Sequence, residues 1–203
     1  MIAEDVIHSG TRILSRTADL PVSIEHARAF LKAEGFNEDD DVIRSLIAGA
    51  ANNIERKLNI CLLPTIVEDS FNRFPPSHLA LWLTYGPLVQ LQEIKYYSAS
   101  TEDWEVWDHT GVIPLNVNYK TGIMPPINGN WPSDYLTREG LVVVKYQCYL
   151  AEKPCDLPQD LTLAILLQAA HLYEFRENPS EIYPGAQQRV SEMLLRPYAN
   201  FNF

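Results

Sequence analysis

The sequence has no apolar run that could cross a membrane, since about 18 consecutive apolar residues are needed. Residues 1–10 include Glu4 and Asp5 and lack the apolar core of a secretion signal. Cysteine is scarce as well, and the three present share no metal-ligand spacing. We therefore expect no membrane span, no signal peptide and no disulfide framework, with reduced thiols in a cytoplasmic setting.

Basic residues are few. The 203 residues contain 16 Lys and Arg against 26 Asp and Glu, so the formal net charge is −10. A strongly acidic protein does not wrap nucleic acid by neutralising its phosphates. The ordinary interpretation of this charge is good solubility, and the alternative is a passage to which DNA must not adhere.

Motifs that carry catalysis are also missing. There is no Gly-x-Gly-x-x-Gly, phosphate loop, His-Glu-x-x-His or Gly-x-Ser-x-Gly. The acidic run Glu38–Asp41 could bind a hard cation, but it lacks the calcium-loop pattern and suits the start of a helix. His171 is interpreted as a half-buried structural residue, and Cys148 and Cys155 as packing residues. We expect no catalytic residue, no cofactor and no metal.

Helices are predicted at both ends of the chain. Ser23 is a candidate N-cap for a first helix that ends at Gly35. From Val42 to Leu58, apolar residues at spacings of three, four and one predict a second helix. The segment Leu161–Tyr173 is apolar nearly all round, which predicts a helix buried inside a bundle or between subunits. A last helix, Gly185–Arg196, has its apolar residues on one face: Ala186, Val190, Met193 and Leu194.

The middle of the chain is rich in Tyr, Trp, Val and Ile and is often interrupted by Pro and Gly, which predicts short strands. The predicted strands are Thr65–Phe71, Leu79–Leu83, Glu93–Tyr97, Trp104–Trp107 and Leu141–Tyr149. Gly122–Pro132 is predicted as a loop, and Arg12–Leu14 as a weak strand. The fold class is therefore α+β, a helical bundle of about four helices with a β-rich module inserted between helices 2 and 3. The predicted domains are a lead-in at 1–20, a helical bundle at 21–62 and 157–197, a β module at 63–156 and a C-terminal anchoring tail at 198–203.

The C-terminal tail combines aromatic and polar residues. Tyr198, Phe201 and Phe203 lie within six residues of one another. Such alternation suits a strand added to the sheet edge of a partner. Packing of these rings against their own subunit is the alternative, and the sequence leaves both open.

Several segments, in this order and at this spacing, resemble the head–tail connector (adaptor) family of tailed bacteriophages, specifically its longer members with a β insertion. The similar segments are Leu20–Leu31, Glu38–Ile43, Leu46–Ala51, Phe71–Pro75, Trp131–Pro132, Leu141–Tyr146, Leu157–Pro158, Ala164–Leu167, Ala170–Glu177, and Val190 with Leu194–Tyr198. Together they span roughly residues 20–198.

The resemblance implies a structural virion protein, not an enzyme, that forms a ring of about a dozen subunits on the portal protein. Such a ring extends the DNA channel without sequence-specific binding and offers a platform for tail or stopper proteins. Its place is the head–tail interface of the virion, after assembly in the host cytoplasm. With the aromatic tail, the resemblance suggests portal-binding residues: Arg196, Pro197, Tyr198, Phe201 and Phe203.

Other functions stay open. One alternative is a tail-completion or neck protein that docks on the tail side. A less favoured one is a small cytoplasmic enzyme that uses the β module, which would need a cleft with clustered carboxylates or histidines. A binding module using Trp104 and Trp107 for stacking is the third, with strand packing as the ordinary role of these side chains.

Overall fold

The computed structural model describes Val6 and residues 8–32, 40–76, 79–174 and 186–199. The described elements are four α-helices and two antiparallel sheets, so the predicted α+β class is confirmed. No helix in these ranges is long and apolar enough to cross a membrane.

The chain forms two compact units, each built from two segments. The β unit consists of Met1–Thr17 and Pro64–Tyr149, and the helical unit of Ala18–Leu63 and Leu150–Phe203. The N-terminal segment Met1–Thr17 therefore belongs to the β unit, to which it supplies the strand His8–Arg16.

The helical unit contains helices from both of its segments. They are α1 (Ile24–Leu31), α2 (Asp40–Leu58), α3 (Gln159–Glu174) and α4 (Ala186–Leu195), with short 3-10 turns at Pro154–Asp156 and Arg196–Tyr198. Helix α3 packs against both α2 and α4. Most of the apolar stripe predicted for the second helix is confirmed, since Ile43, Ile47, Ala50, Ile54 and Leu58 are all buried, but Val42 at its start is 40% exposed. On α3, Leu163 and Leu172 stay exposed, so this apolar helix is not fully covered within its own subunit.

Helix α1 begins where the sequence predicts and ends earlier. The Ser23 hydroxyl accepts a hydrogen bond from the backbone N–H of His26 at 3.2 Å, which confirms the N-cap. The end predicted at Gly35 is wrong, and Gly35 itself lies outside the described residues. Lys32 adopts the left-handed conformation, with φ of 53°. Its backbone N–H donates to the carbonyls of Ala29 and Arg28, and this cap ends the helix at Leu31.

Ser23→Ala is expected to lower the stability of the helical unit by about 1 kcal/mol, because it removes the N-cap acceptor. Urea unfolding followed by circular dichroism at 222 nm measures this. Ser45→Ala is the matched control, since Ser45 is an exposed serine inside α2 whose hydroxyl bonds the Asp41 carbonyl. Equal midpoints for the two variants would contradict the capping role.

The larger sheet of the β unit has five antiparallel strands in the order β1–β2–β8–β4–β5. These are β1 (His8–Arg16), β2 (Thr65–Phe71), β4 (Leu88–Tyr97), β5 (Trp104–Val106) and β8 (Val142–Cys148). The strands predicted at Thr65–Phe71 and Leu141–Tyr149 are confirmed as β2 and β8. Val67 and Phe71 on β2, and Val144 and Tyr146 on β8, point into the core, and their neighbours are half exposed.

The second sheet has three strands in the order β3–β7–β6. They are β3 (Leu81–Trp82), β6 (Ile113–Val117) and β7 (Lys120–Met124). The loop predicted from Gly122 is therefore wrong at its start, because Gly122 lies within β7. A Cβ at this position would be 2.9 Å from Cε3 of Trp82, so glycine allows the strand to pass close beneath that ring.

An aromatic cluster fills the core of the β unit. Phe74 stacks on Trp131 with ring centroids 5.2 Å apart and meets Tyr135 edge-on at 5.3 Å. Trp107 lies 5.2 Å from Trp131. The half-buried Trp107 ring therefore packs within the protein, as its ordinary structural role requires.

Candidate interaction surfaces

The densest polar cluster of the β unit surrounds Asp69, which is fully buried. Its carboxylate accepts hydrogen bonds from the Thr11 hydroxyl at 2.6 Å, the Thr84 backbone N–H at 2.7 Å and the Tyr146 hydroxyl at 2.9 Å. Burial, followed by the nearby Asp69 charge, raises the pKa of Tyr146 far above its ordinary value, so this hydroxyl stays a proton donor. Because these donors come from its own chain, the cluster joins β1, β2 and β8 and leaves no open substrate position.

The residues weighed for chemistry are dispersed. Within the described ranges, no group of three or more His, Cys, Asp or Glu side chains could hold a metal ion. Asp40, from the predicted acidic run, accepts from Nε of Arg28 at 2.7 Å, and Glu38 and Asp39 lie outside the described residues. His171 is buried within α3. Cys148 is buried as predicted, whereas the packing role predicted for Cys155 is wrong because this thiol is exposed.

The predicted portal-binding residues differ in exposure. Tyr198 is only 7% exposed, and its hydroxyl donates to Oδ1 of Asp160 at 2.8 Å, so its ring packs on its own subunit. Arg196 and Pro197 are exposed in the 3-10 turn that follows α4. Phe201 and Phe203 lie outside the described residues. Among the described residues of this set, Arg196 and Pro197 are the accessible ones.

Two residues of the apolar face predicted for the last helix point to the surface. Val190 is 45% exposed and Met193 63%, whereas Leu194 of the same predicted face is half-buried. The opposite side of α4 packs on α3 through buried Ser191 and Leu195, and the amide of Gln168 donates to the Ser191 hydroxyl at 3.0 Å. Val190 and Met193 therefore form a surface and are not core.

An arginine lies beside this exposed face. Arg189 is on the same side of α4 as Met193, because residues four positions apart align on a helix. It is exposed and forms no ion pair with a described residue. The nearby Glu192 is paired instead with Lys57, Oε1 to Nζ at 3.1 Å. Arg189, Val190 and Met193 are called the α4 face below.

The hairpin that joins β4 and β5 presents a surface of opposite charge. Trp104 is 45% exposed and Val106 61%, and they point to the same side of β5. Glu102 and Asp103, in the turn before them, are exposed carboxylates. Glu102, Asp103, Trp104 and Val106 are called the hairpin face below. A shallow cavity of about 480 Å³ adjoins it, lined by Glu68, Lys95, Trp104, Val106 and Val143.

Hydrogen bonds fix this hairpin. The Tyr96 hydroxyl donates to Glu105 at 2.8 Å and, with the Thr101 hydroxyl, lowers the pKa of that carboxyl. Desolvation and this bond raise the pKa of Tyr96 to about 12. At the turn, the Ser100 and Ser98 hydroxyls donate to Asp134 and lower its pKa. Both carboxyls are therefore ionised at neutral pH, which adds to the negative charge around the hairpin face.

No protein-family model and no curated protein matches the sequence. Three solved structures contain chains of similar fold at low identity. A chain of the virion of a native gene transfer agent particle gives a TM-score of 0.75 at 16% identity, covering 95% of this chain and 96% of that one. A chain from the neck of an empty particle of this kind, computed with C6 symmetry, gives 0.77 at 15% identity, covering 96% and 97%. One from the neck of the native particle, computed with C12 symmetry, gives 0.65 at 16%, covering 95% and 97%. The protein therefore shares, over nearly its whole length, the fold of chains found in gene transfer agent particles.

Proposed function

We propose that the protein is a structural component of the neck of a tailed bacteriophage or a phage-like particle. In this role it is a head–tail adaptor that binds the portal as a ring, extends the DNA channel and supports the tail or stopper proteins. The observation that carries the proposal is the fold shared with neck chains over almost the full length of both proteins. A fold can serve several functions, so the surfaces of this chain must support the role separately.

The exposed side chains support an assembly role. Several large apolar side chains do not contribute their burial to the stability of an isolated subunit, because they are exposed: Trp104, Val106, Leu172 and Met193. Residues of this kind are buried when proteins form interfaces. They occur on both units of the chain. An enzyme site presents polar groups in an open cleft. In the described residues, polar groups such as those around Asp69 are instead hydrogen-bonded to one another.

Attachment to the portal is assigned to the C-terminal segment. Arg196 and Pro197 are accessible beside α4, and Phe201 and Phe203 follow within six residues. In this proposal Tyr198 does not contact the portal. Its buried ring and its bond to Asp160 fix the point from which the tail leaves the subunit.

Co-purification with the portal protein of the same particle, followed by negative-stain imaging, tests the proposal. We expect a ring of this protein on the narrow end of the portal. Recovery on purified tails, without portal binding, would favour the tail-completion alternative and overturn the adaptor role.

A further inference from the structure

We propose that the α4 face of one copy docks on the hairpin face of the next copy, and that this contact joins the subunits of the ring. The inference rests on the proposed function, because it describes how the copies of such a ring contact each other. It names two surfaces on one chain that are complementary in charge and similar in apolar character.

The α4 face has the composition of a binding surface. Met193 and Val190 form an exposed apolar centre, and the exposed Arg189 lies beside it. Methionine and arginine are both enriched at protein interfaces, methionine because its flexible side chain adapts to a partner. The neighbouring carboxylate of Glu192 is paired with Lys57. This patch is therefore basic on a chain whose net charge is −10, so its partner should be acidic with an apolar centre.

The hairpin face meets that description. Trp104 and Val106 are its apolar part, and Glu102 and Asp103 supply exposed negative charge. The nearby cation Lys95 lies 2.8 Å from Glu93 and is largely neutralised by it. Trp104 is oriented by Tyr97, with ring centroids 5.9 Å apart, so the ring is already placed for a partner at little entropic cost.

A second copy is favoured as the partner because its surface chemistry is known and fits. Identical acidic subunits repel one another, and a contact between a basic and an acidic face offsets that repulsion locally. The contact uses two different surfaces, so it is heterologous, and such contacts repeat head to tail until a ring closes. Both surfaces therefore become covered on every subunit.

Specific cross-linking tests the contact. In a Cys155→Ser background, which removes the exposed thiol and leaves the buried Cys61 and Cys148, one protein carries Met193→Cys and a second carries Val106→Cys. The two are mixed, with and without the portal protein, and treated with a short bis-maleimide. We expect a covalent dimer in the mixture, and neither protein alone should give one. A chain with both substitutions should give a ladder of multimers.

Charge exchange gives a second measure. Arg189→Glu should reduce the cross-linked dimer about fivefold, because an attractive contact becomes repulsive. Glu102→Lys with Asp103→Asn in the other protein should restore it. Asparagine is chosen because Oδ1 of Asp103 accepts from the backbone N–H of Trp104 at 2.7 Å. Arg44→Glu is the control of equal charge, since this side chain is exposed elsewhere on the helical unit.

The outcomes separate the two proposals. Rings on the portal without the Met193–Val106 cross-link would overturn this contact and leave the adaptor role standing. Cross-linking that survives the arginine reversal would overturn the electrostatic complementarity. Loss of portal binding by the arginine variant, with unchanged cross-linking between copies, would show that the α4 face binds the portal instead. If copies associate neither on the portal nor alone, both proposals fail.

Discussion

Removal of residues 200–203 is expected to abolish binding to the portal and to leave the folded protein intact. The removed segment contains Phe201 and Phe203, the aromatic side chains that the proposed anchor uses. The cut is placed after Ala199 because Tyr198 is buried and bonded to Asp160, so an earlier cut would remove part of the helical unit. Loss of two buried aromatic anchors typically weakens an interface by about 4 kcal/mol or more, roughly a thousandfold in Kd.

Pull-down on immobilised portal protein measures this effect, with circular dichroism as the check on folding. The matched control is Asn200→Ala with Asn202→Ala in the full-length chain, which keeps both phenylalanines and should bind normally. Full binding by the truncated protein would overturn the anchoring role of the tail. Equal loss in the control would assign the interaction to the asparagines.

Replacement of Asp69 by alanine is expected to destabilise the β unit by about 3 kcal/mol, because buried donors lose a charged acceptor. The donors left behind include the Thr84 N–H and the Thr11 hydroxyl. Tyr146→Phe should cost less, about 1–2 kcal/mol, since it removes one bond to Asp69 and the acceptor for the Tyr85 N–H.

Tryptophan fluorescence during urea unfolding reports on this unit selectively, because all four tryptophans lie within Pro64–Tyr149. Glu139→Ala is the control, since this exposed carboxylate should change stability by less than about 0.5 kcal/mol. A loss below about 1 kcal/mol for Asp69→Ala would show that the network orders the sheet edge without stabilising it.

The spacing of apolar residues identified the elements that bury one face and expose the other. Helix α2 and strands β2 and β8 each turn one face to the core, and all three elements were predicted correctly. Strand β1 was predicted only at Arg12–Leu14, because most of its residues are exposed at an edge and no alternation results. Strands β6 and β7 contain Pro114 and Gly122, residue types that normally interrupt strands. The two segments form strands because they pair with each other in the sheet.

Whether a side chain points into the core or to the surface depends on how its element packs against the rest of the fold. The pattern on α4 shows that Val190 and Met193 share a face, but the same pattern would arise whether that face packed inward or outward. Trp104 and Trp107 lie three residues apart with similar neighbours, yet one is exposed and the other joins the aromatic core. For Tyr198 the sequence left both possibilities open, and packing on its own subunit is the one observed.

The strand order of the larger sheet has a consequence for synthesis on the ribosome. Strand β2 lies between β1 and β8, the first and last strands of the chain, so its second edge stays unpaired until about 150 residues have been made. Packing of the helical unit is delayed to a similar chain length, because α2 buries its apolar stripe against α3, which is made late. Long-range pairing of this kind folds slowly and leaves apolar edges open in the meantime. The nascent chain is therefore expected to need chaperone protection until α3 has emerged, and ribosome-bound chains ending before residue 150 should be degraded by protease faster than longer ones.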